Sequence, residues 1–378
     1  TSDLFVGRGE QLEKIQSYLS RSTREVLHVT GPPGIGKSTL VRRIVRSRPA
    51  SSVLVVSGND RPEAPFASLT DGIREYWDLP EPNAPHYPSY LSERIASTRK
   101  RIWDEALLEE WDRVELFIQH AMGQEHPVAS ALDPQTRYEG QLDGLFILLQ
   151  SLQAVRVLWI DDLQWIDAGS TAVLDRWLAD RDPGRLRVLT TVRTHAHHPE
   201  GAMIDSLGWD AAEIELIGLP EEPSRALLEQ RGTTALIDQT SLRTVLDHCR
   251  GNPFFLDQCA RFVEEESATG DAPTIPDSVH AVILARIERL SSDVRQAVEM
   301  AAVLGLRFDM RILSAMLREE KLPNALDSAR SEGFWEAVSE LNFIFCHALI
   351  RDAIYEAQFE SRRVELHAAA ARAFEHVY

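Results

Sequence analysis

The sequence has few cysteines, no long apolar run and no block of basic residues. Its 378 residues include three cysteines, whose wide spacing fits neither a disulfide framework nor a zinc-binding pattern, so we expect a reducing, cytoplasmic setting. No uncharged apolar stretch approaches the ~20 residues that a membrane-spanning helix needs, and neither a span nor a signal peptide is expected. These absences favour a globular protein held together by an apolar core.

The chain also lacks the positive charge of most nucleic-acid-binding proteins. It carries 58 acidic and 40 basic residues, a formal net charge of −18, which repels a phosphate backbone unless basic residues are sharply segregated. The nearest approach to a basic cluster is a group of four arginines that we interpret as a solvated helix face: Arg42, Arg43, Arg46 and Arg48. We therefore expect no direct nucleic-acid contact.

The distribution of apolar segments predicts an α/β fold for the first part of the chain. Five short β-rich segments, separated by helical patterns, predict a parallel five-stranded sheet of the P-loop NTPase type. They lie at 26–31, 51–58, 156–162, 185–193 and 213–219. We assign residues 1–219 to a nucleotide-binding domain with a helical insertion at about 60–150.

The β signal nearly vanishes after Pro220, and three further regions are predicted there. Helices at 221–231, 240–250 and 253–266 predict an α-helical lid domain over 220–272. Four helices followed by a short hairpin at 334–346 predict a winged-helix domain over 273–360. The amphipathic segment 361–378 is expected to begin a C-terminal helical, TPR-like region.

A complete phosphate-binding loop stands at residues 31–38, Gly-Pro-Pro-Gly-Ile-Gly-Lys-Ser. The glycines allow backbone N–H groups to converge on phosphate oxygens, and the helix that follows presents its positive N-terminus to them. We expect Lys37 to reach the β- and γ-phosphates and to serve catalysis, and Ser38 to ligate Mg²⁺. The candidate nucleotide-binding residues of this loop are Gly34, Ile35, Gly36, Lys37, Ser38 and Thr39.

The third predicted strand ends in two carboxylates, the Walker B pattern. Asp161 is expected to help hold Mg²⁺, and Asp162 to orient or polarise the attacking water. Turn-forming aspartates at an ordinary strand end fit the same residues, but the phosphate loop upstream favours the metal site. Asp167, five residues after Asp162, is expected to cap the next helix.

The fourth predicted strand ends in Arg193, where the γ-phosphate of a nucleotide would lie. Arg193 is thus a candidate sensor of that phosphate, although an ordinary surface arginine fits the position too. Three histidines follow, His195, His197 and His198. The loop offers no cysteine or carboxylate at ligand spacing before Glu200, so we expect a solvated loop rather than a metal site.

Four segments resemble the STAND-class ATPases, relatives of the AAA+ proteins, and they are spread so that the resemblance covers nearly the whole chain. Residues 5–10 are similar to the N-terminal box of that class. Residues 157–167 closely resemble the Walker B segment of its bacterial branch, which includes LuxR- and MalT-like regulators and cyclase-associated ATPases. Residues 251–255 resemble the G-x-P motif, and residues 345–351 resemble the segment that contains the MHD-type histidine.

The resemblance implies roles for four further residues. Val6 and Arg8 would border the nucleotide, Pro253 would touch the adenine base, and His347 would approach the β-phosphate of a bound diphosphate. Val6, Pro253 and His347 have ordinary structural alternatives, as a core valine, a helix-start proline and a structural histidine, respectively.

The chain departs from the family pattern at two places. Ala348 follows His347 where the family often has aspartate, so an equivalent polar clamp is in doubt. Asp162 replaces the glutamate common in AAA+ relatives, and the shorter acid fits slow turnover.

By resemblance, the chain is expected to be a slowly hydrolysing ATP/ADP switch with Mg²⁺ as cofactor. ADP would hold a closed form, and ATP, sensed by Arg193, would open it and permit self-association. The effector and sensor domains of a full-length chain would be its other partners. Two alternatives stay open: an AAA+ DNA-binding initiator or loader, whose predicted recognition helix at 324–332 is not basic, and a non-hydrolysing, nucleotide-bound scaffold.

Overall fold

The computed structural model describes most of the chain: residues 6–21, 25–59, 64–180, 185–193, 210–269, 276, 278–317, 322–338 and 341–377. The chain divides into two compact units. The sheet unit comprises residues 8–32 and 37–216. The helical unit comprises residues 1–7, 33–36 and 217–378, so it includes four residues of the phosphate loop.

The sheet unit contains five strands, all parallel, in the order β2-β3-β4-β1-β5. They are β1 (Glu25–Gly31), β2 (Val53–Ser57), β3 (Val157–Asp161), β4 (Arg187–Arg193) and β5 (Asp210–Glu215). The predicted α/β class and parallel five-stranded sheet are confirmed. All five residues of β3 are buried, as expected for a central parallel strand covered on both faces.

The strand boundaries differ from the sequence-based prediction by up to four residues, most of all at β5. Strand β2 begins at Val53 because residues 50–52 form a 3₁₀ turn. The pattern predicts β5 at 213–219, but the strand pairs with β1 from Asp210 to Glu215. The apolar signal continues past the strand because Leu216 and Leu219 stay buried after the chain has left the sheet.

Helices flank the sheet and fill the region between β2 and β3, as the amphipathic pattern predicts. Within the described residues of the unit they are α1 (Gly9–Ser20), α2 (Lys37–Val45), α3 (Ala67–Trp77), α4 (Tyr87–Arg99), α5 (Glu105–Ala121), α6 (Pro127–Ala131), α7 (Pro134–Ser151) and α8 (Ala168–Asp180). Asp104 and Asp133 cap α5 and α7 by accepting hydrogen bonds from backbone N–H groups. The core includes Trp111 and Trp177, both fully buried.

The helical unit contains helices and a three-stranded antiparallel sheet of order β6-β8-β7. Its described elements are α9 (Glu221–Gln230), α10 (Gln239–Cys249), α11 (Pro253–Thr269), α12 (Val279–Arg289), α13 (Ser292–Leu304), β6 (Arg307–Asp309), α14 (Met310–Met316), α15 (Leu322–Ser331), β7 (Trp335–Ala337), β8 (Asn342–Phe345), α16 (Ala348–Ala357) and α17 (Glu360–Val377). The predicted hairpin is present as β7 and β8. Strand β6 was missed because three residues are too short to show alternation.

Helix α11 is tied to its neighbours by a buried arginine and by a cysteine pair. Arg286 on α12 is 1% exposed and donates to Glu265 and Gln258 of α11. The free thiols of Cys249 and Cys259 lie 3.5 Å apart where α10 packs on α11, a proximity that their spacing in the sequence did not reveal. No helix within the described residues is long and apolar enough to cross a membrane.

Candidate nucleotide-binding site

The phosphate loop connects the end of β1 to the start of α2. Gly34 and Gly36 have φ angles of 76° and 97°, a left-handed conformation that residues with a Cβ rarely adopt. Gly34 is also crowded, because a Cβ placed there would lie 2.8 Å from the Phe254 Cβ. The loop leads into the N-terminus of α2, whose free N–H groups and dipole favour an anion.

Lys37 places a buried cation at this point. It is 7% exposed, and its Nζ donates to the carbonyls of Gly31 and Pro32 at 2.9 and 3.1 Å. Burial lowers the pKa of Lys37, against the opposing effect of Asp162. Because carbonyl oxygens satisfy the donors without neutralising the charge, the arrangement suits an anionic ligand.

The candidate metal ligands meet at the end of β3. The Ser38 Oγ donates to Asp161 Oδ1 at 2.7 Å, and the Thr191 hydroxyl donates to the same oxygen. Burial raises the pKa of Asp161, while hydrogen bonds from Thr191 and Ser38 act in the opposite direction. A carboxylate beside a hydroxyl supplies the hard oxygen ligands that Mg²⁺ prefers, and Mg²⁺ usually takes only one or two from the protein. These side chains therefore fit a magnesium ion.

Thr191 is a site residue that the sequence pattern did not reveal. It lies on β4 beside β3, is fully buried, and its Oγ1 also accepts a hydrogen bond from the Asp162 N–H at 2.8 Å. One hydroxyl thus orients the Asp161 side chain and the Asp162 backbone. The available signal was a pair of threonines, Thr190 and Thr191, in a strand that is mostly buried.

Replacing Thr191 by valine removes both hydrogen bonds at nearly constant volume. We expect the free energy of unfolding to fall by about 1–3 kcal/mol, because the half-buried Asp162 N–H and the buried Asp161 carboxylate each lose a hydrogen-bond partner. Thr191→Ser keeps the hydroxyl and should retain most of the stability. Urea titration of both variants measures the difference, and equal midpoints for Thr191→Val and the parent would contradict these hydrogen bonds.

Asp162 and Arg193, the other two candidate catalytic residues, are linked through the 3₁₀ turn after β3. The Gln164 side-chain amide donates to Asp162 Oδ1 at 2.7 Å, and the Arg193 N–H donates to Gln164 Oε1 at 3.4 Å. The Arg193 guanidinium carbon lies 5.6 Å from the Trp165 ring centroid. Arg193 is also the register partner of Gly31 in the pairing of β4 with β1. Arg193 and the start of the phosphate loop therefore lie at the same carboxyl end of the parallel sheet.

Asp167 caps α8, as predicted, and also binds the start of α3. It accepts hydrogen bonds from the N–H groups of Ser170, Phe66 and Ser68 at 2.8–2.9 Å. Burial raises the pKa of Asp167, but the hydrogen bonds from Ser170 and Ser68 outweigh it, so the pKa is lowered overall. Asp167 therefore stays ionised as a structural anchor beside the Walker B turn.

In the helical unit, the phosphate-loop residues 33–36 contact the turn before α11. The Asn252 Nδ2 donates to the Pro33 carbonyl at 3.0 Å, and the Phe254 N–H lies 3.3 Å from the Gly34 carbonyl. The intervening Pro253 is the residue that the G-x-P resemblance singles out. Pro253 is half-buried and is the first residue of α11, and the bonds to the loop come from its two neighbours.

His347 lies against the same turn. Its ring stacks on the Phe254 ring, with centroids 4.1 Å apart and an interplanar angle of 27°. Its Nδ1 accepts from the Leu349 N–H at 3.1 Å and so caps α16. The structure thus connects His347 to the phosphate loop through one aromatic side chain.

The remaining predicted residues lie near the loop in the sequence or at the N-terminus. Ile35 is buried, Thr39 is exposed on the first turn of α2, and Val6 is half-buried. Arg8 stands at the start of α1, and burial lowers its pKa. The histidines at 195, 197 and 198 lie outside the described residues, as does Glu200.

The chain has a family match over its first half and similar solved structures over most of its length. Residues 4–190 match the family model of the AAA ATPase domain. A STAND protein with a tetratricopeptide repeat sensor from Pyrococcus horikoshii is 15% identical, with a TM-score of 0.54, over 98% of this chain and 45% of that one. The present chain therefore spans less than half the length of that protein, and at this identity the likeness shows the fold alone.

Two further structures are more distant. Cdc6p from Pyrobaculum aerophilum is 13% identical, with a TM-score of 0.44, over 94% of this chain and 95% of that one. Domain III of the replication initiation protein DnaA from Thermotoga maritima is 11% identical, with a TM-score of 0.37, over 75% and 93%. Comparison with curated protein sequences gives no match. Residues 4–190 are thus similar to the AAA ATPase domain, and the parallel five-stranded sheet is consistent with a P-loop NTPase fold.

Proposed function

We propose that the chain binds ATP with Mg²⁺, hydrolyses it slowly and acts as a STAND-type molecular switch. The observation that carries the binding part is the buried Lys37 beside the Ser38–Asp161 pair, which provides a phosphate-binding cation and two metal ligands. The proposed switch rests in addition on the resemblance of the chain to STAND-class ATPases. The site assignments of Val6, Arg8 and Pro253 remain part of this proposal.

Each site residue has a distinct task in the proposed hydrolysis. Lys37 binds the β- and γ-phosphate oxygens, and Ser38 and Asp161 hold Mg²⁺, which neutralises charge on the phosphates when bound. Asp162 accepts a hydrogen bond from water and orients its oxygen toward the γ-phosphorus. As the new phosphorus–oxygen bond forms, the bond to the ADP oxygen breaks, and ADP leaves with the electron pair. The water gives up a proton to the Asp162 carboxylate, which passes it on to the released phosphate.

The geometry around Asp162 favours slow turnover. Its carboxylate already accepts a hydrogen bond from Gln164, so one lone pair is not available to the water. Aspartate is also one methylene shorter than glutamate. The shorter reach limits how well the carboxylate can orient the nucleophile, which suits a switch whose nucleotide state must persist.

The proposed switch has two states that ADP and ATP favour differently. ADP favours a closed form, and ATP favours an open form that self-associates. A nucleotide shifts this equilibrium only by its differential affinity, and a change from 1:99 to 99:1 requires about 5.5 kcal/mol. We therefore expect scattering dimensions and mass to increase when a non-hydrolysable ATP analogue replaces ADP. Equal dimensions and mass with both nucleotides would contradict the proposed switch, and only the proposed ATP binding and hydrolysis would remain.

Arg193 is the proposed reader of the γ-phosphate. Arg193→Ala should weaken ATP binding by about tenfold or more, since a charge-assisted contact is lost, and leave ADP binding unchanged. Calorimetry with both nucleotides measures the ratio. Arg101→Ala, at an exposed arginine between α4 and α5, is the matched control. Equal losses for ATP and ADP would show that Arg193 does not distinguish them.

Turnover and DNA binding separate the alternatives. Phosphate release that stays at background with Mg²⁺ and ATP would indicate a non-hydrolysing scaffold. Fluorescence anisotropy with duplex DNA tests the initiator alternative. The net charge of −18 leads us to expect no binding at physiological salt, and tight, salt-dependent binding would favour the initiator.

A further inference from the structure

Asn252 joins the phosphate loop to helix α11 with the two ends of one side chain. Its Nδ2 donates to the Pro33 carbonyl, and its Oδ1 accepts from the Phe254 N–H at 3.1 Å, which caps α11. Asn252 is 7% exposed. Because one amide group makes both bonds, a movement of the Pro33 carbonyl is coupled to this cap.

Phe254 connects the same loop to the C-terminal part of the helical unit. Its N–H faces the Gly34 carbonyl, and its side chain packs on the apolar core formed by α12–α17 and strands β6–β8. The contact is close, since a Cβ on Gly34 would meet both the Phe254 Cβ and Asn252 Oδ1. The Phe254 backbone therefore contacts the phosphate loop, whereas its side chain contacts the core of the C-terminal helices and strands.

His347 contacts the Phe254 side chain. It caps α16 with Nδ1 while its ring stacks on the Phe254 ring. These two roles involve different features of the side chain, a hydrogen-bond acceptor and a ring face. They can therefore be separated by substitution.

We infer that Asn252 and Phe254 are positioning residues for the phosphate loop, and that His347 influences the nucleotide through the Phe254 ring rather than by contact with a phosphate. This inference rests on the proposed nucleotide-binding function. The chain of contacts runs from Pro33 and Gly34 to Asn252 and Phe254, and from Phe254 to His347. A loop held in its binding conformation loses less conformational freedom when the phosphates arrive, so the contacts increase affinity without touching the ligand.

Two substitutions of His347 separate stacking from capping. His347→Phe keeps an aromatic face against Phe254 and removes the cap, whereas His347→Asn keeps a good cap and removes the ring. We expect His347→Phe to release ADP at the parental rate and His347→Asn to release it about tenfold faster. Stopped-flow dissociation of a fluorescent ADP provides the rates, and urea titration confirms that each variant is folded.

Substitution of Asn252 tests the other contact. Asn252→Asp keeps the acceptor that caps α11 but places a carboxylate oxygen against the Pro33 carbonyl. ADP and ATP should both dissociate about tenfold faster, because the loop is common to both nucleotides. Two substitutions of Phe254 form a matched pair. Phe254→Tyr keeps the aromatic ring and should release ADP at the parental rate. Phe254→Leu removes the ring and should release ADP as fast as His347→Asn.

The outcomes distinguish this inference from the proposed function. If His347→Phe and His347→Asn both lose ADP rapidly, or neither does, the stacking route is wrong. The same holds if His347→Asn still accelerates release in a Phe254→Leu background. Hydrogen exchange of residues 31–38 without nucleotide gives an independent readout, with faster exchange expected in Asn252→Asp. A parent that binds no nucleotide would overturn the proposed function, while the exchange result would still test the loop contacts.

Discussion

Replacing Lys37 by alanine is expected to weaken the binding of ATP and ADP by at least about a hundredfold, the equivalent of two lost charge-assisted hydrogen bonds. The Lys37 ammonium is buried and satisfied by two loop carbonyls. A phosphate that displaces these carbonyls gains a full ionic partner without first ordering a flexible side chain. Calorimetry with Mg²⁺ and each nucleotide measures the loss.

The control for Lys37→Ala is Lys14→Ala. Lys14 lies on α1 in an exposed ion pair with Glu10. Lys14→Ala changes the net charge by the same amount as Lys37→Ala, but outside the phosphate loop. Its nucleotide affinity should equal that of the parent. If Lys37→Ala bound ATP as tightly as the parent, the assignment of the phosphate site would be wrong.

Asp162→Asn is expected to retain nucleotide binding and to lower phosphate release by about a hundredfold, the range typical of a lost general base or water-orienting group. Asparagine tolerates the left-handed backbone found at Asp162, whose φ is 52°, so the turn should persist. Its amide can accept a hydrogen bond but carries no charge to polarise the water. Single-turnover kinetics and calorimetry separate the two effects.

A second aspartate provides a matched control. Asp78 follows the last residue of α3 and has a φ of 54°. Asp78→Asn therefore makes the same chemical change in the same backbone conformation, at a position that is distant from the phosphate loop in the sequence. It should leave binding and turnover unchanged. Loss of binding in Asp162→Asn with normal residual turnover would instead place Asp162 among the nucleotide ligands.

Local pattern was enough to predict the residues whose chemistry depends on their immediate neighbours. The phosphate loop needs its glycines and lysine at fixed spacing, and an apolar run ending in Asp161 and Asp162 identifies a buried strand with carboxylates at its end. The parallel sheet followed from the alternation of strands and helices. These two motifs together were sufficient to predict that Ser38 and Asp161 lie close together, and the Ser38 Oγ donates to Asp161 Oδ1 at 2.7 Å.

Residues that act through neighbours distant in sequence could not be found this way. Thr191 matters because β4 lies beside β3, which brings its hydroxyl to Asp161 and the Asp162 N–H. Asn252 and Phe254 matter because their turn meets Pro33 and Gly34. Each partner lies 29 or more residues away along the chain, and spacing in the sequence carries no information about such pairs.

The sequence by itself determined the phosphate loop, the Walker B strand and the α/β class, because backbone conformation and apolar periodicity are local properties. Only the tertiary structure decided the end of β5, the proximity of Cys249 and Cys259, and the contacts of His347. These depend on which elements pack together, and packing is a balance of burial and hydrogen bonding over the whole unit. The Phe254–His347 stack joins residues 93 positions apart, and only the folded chain brings their rings face to face.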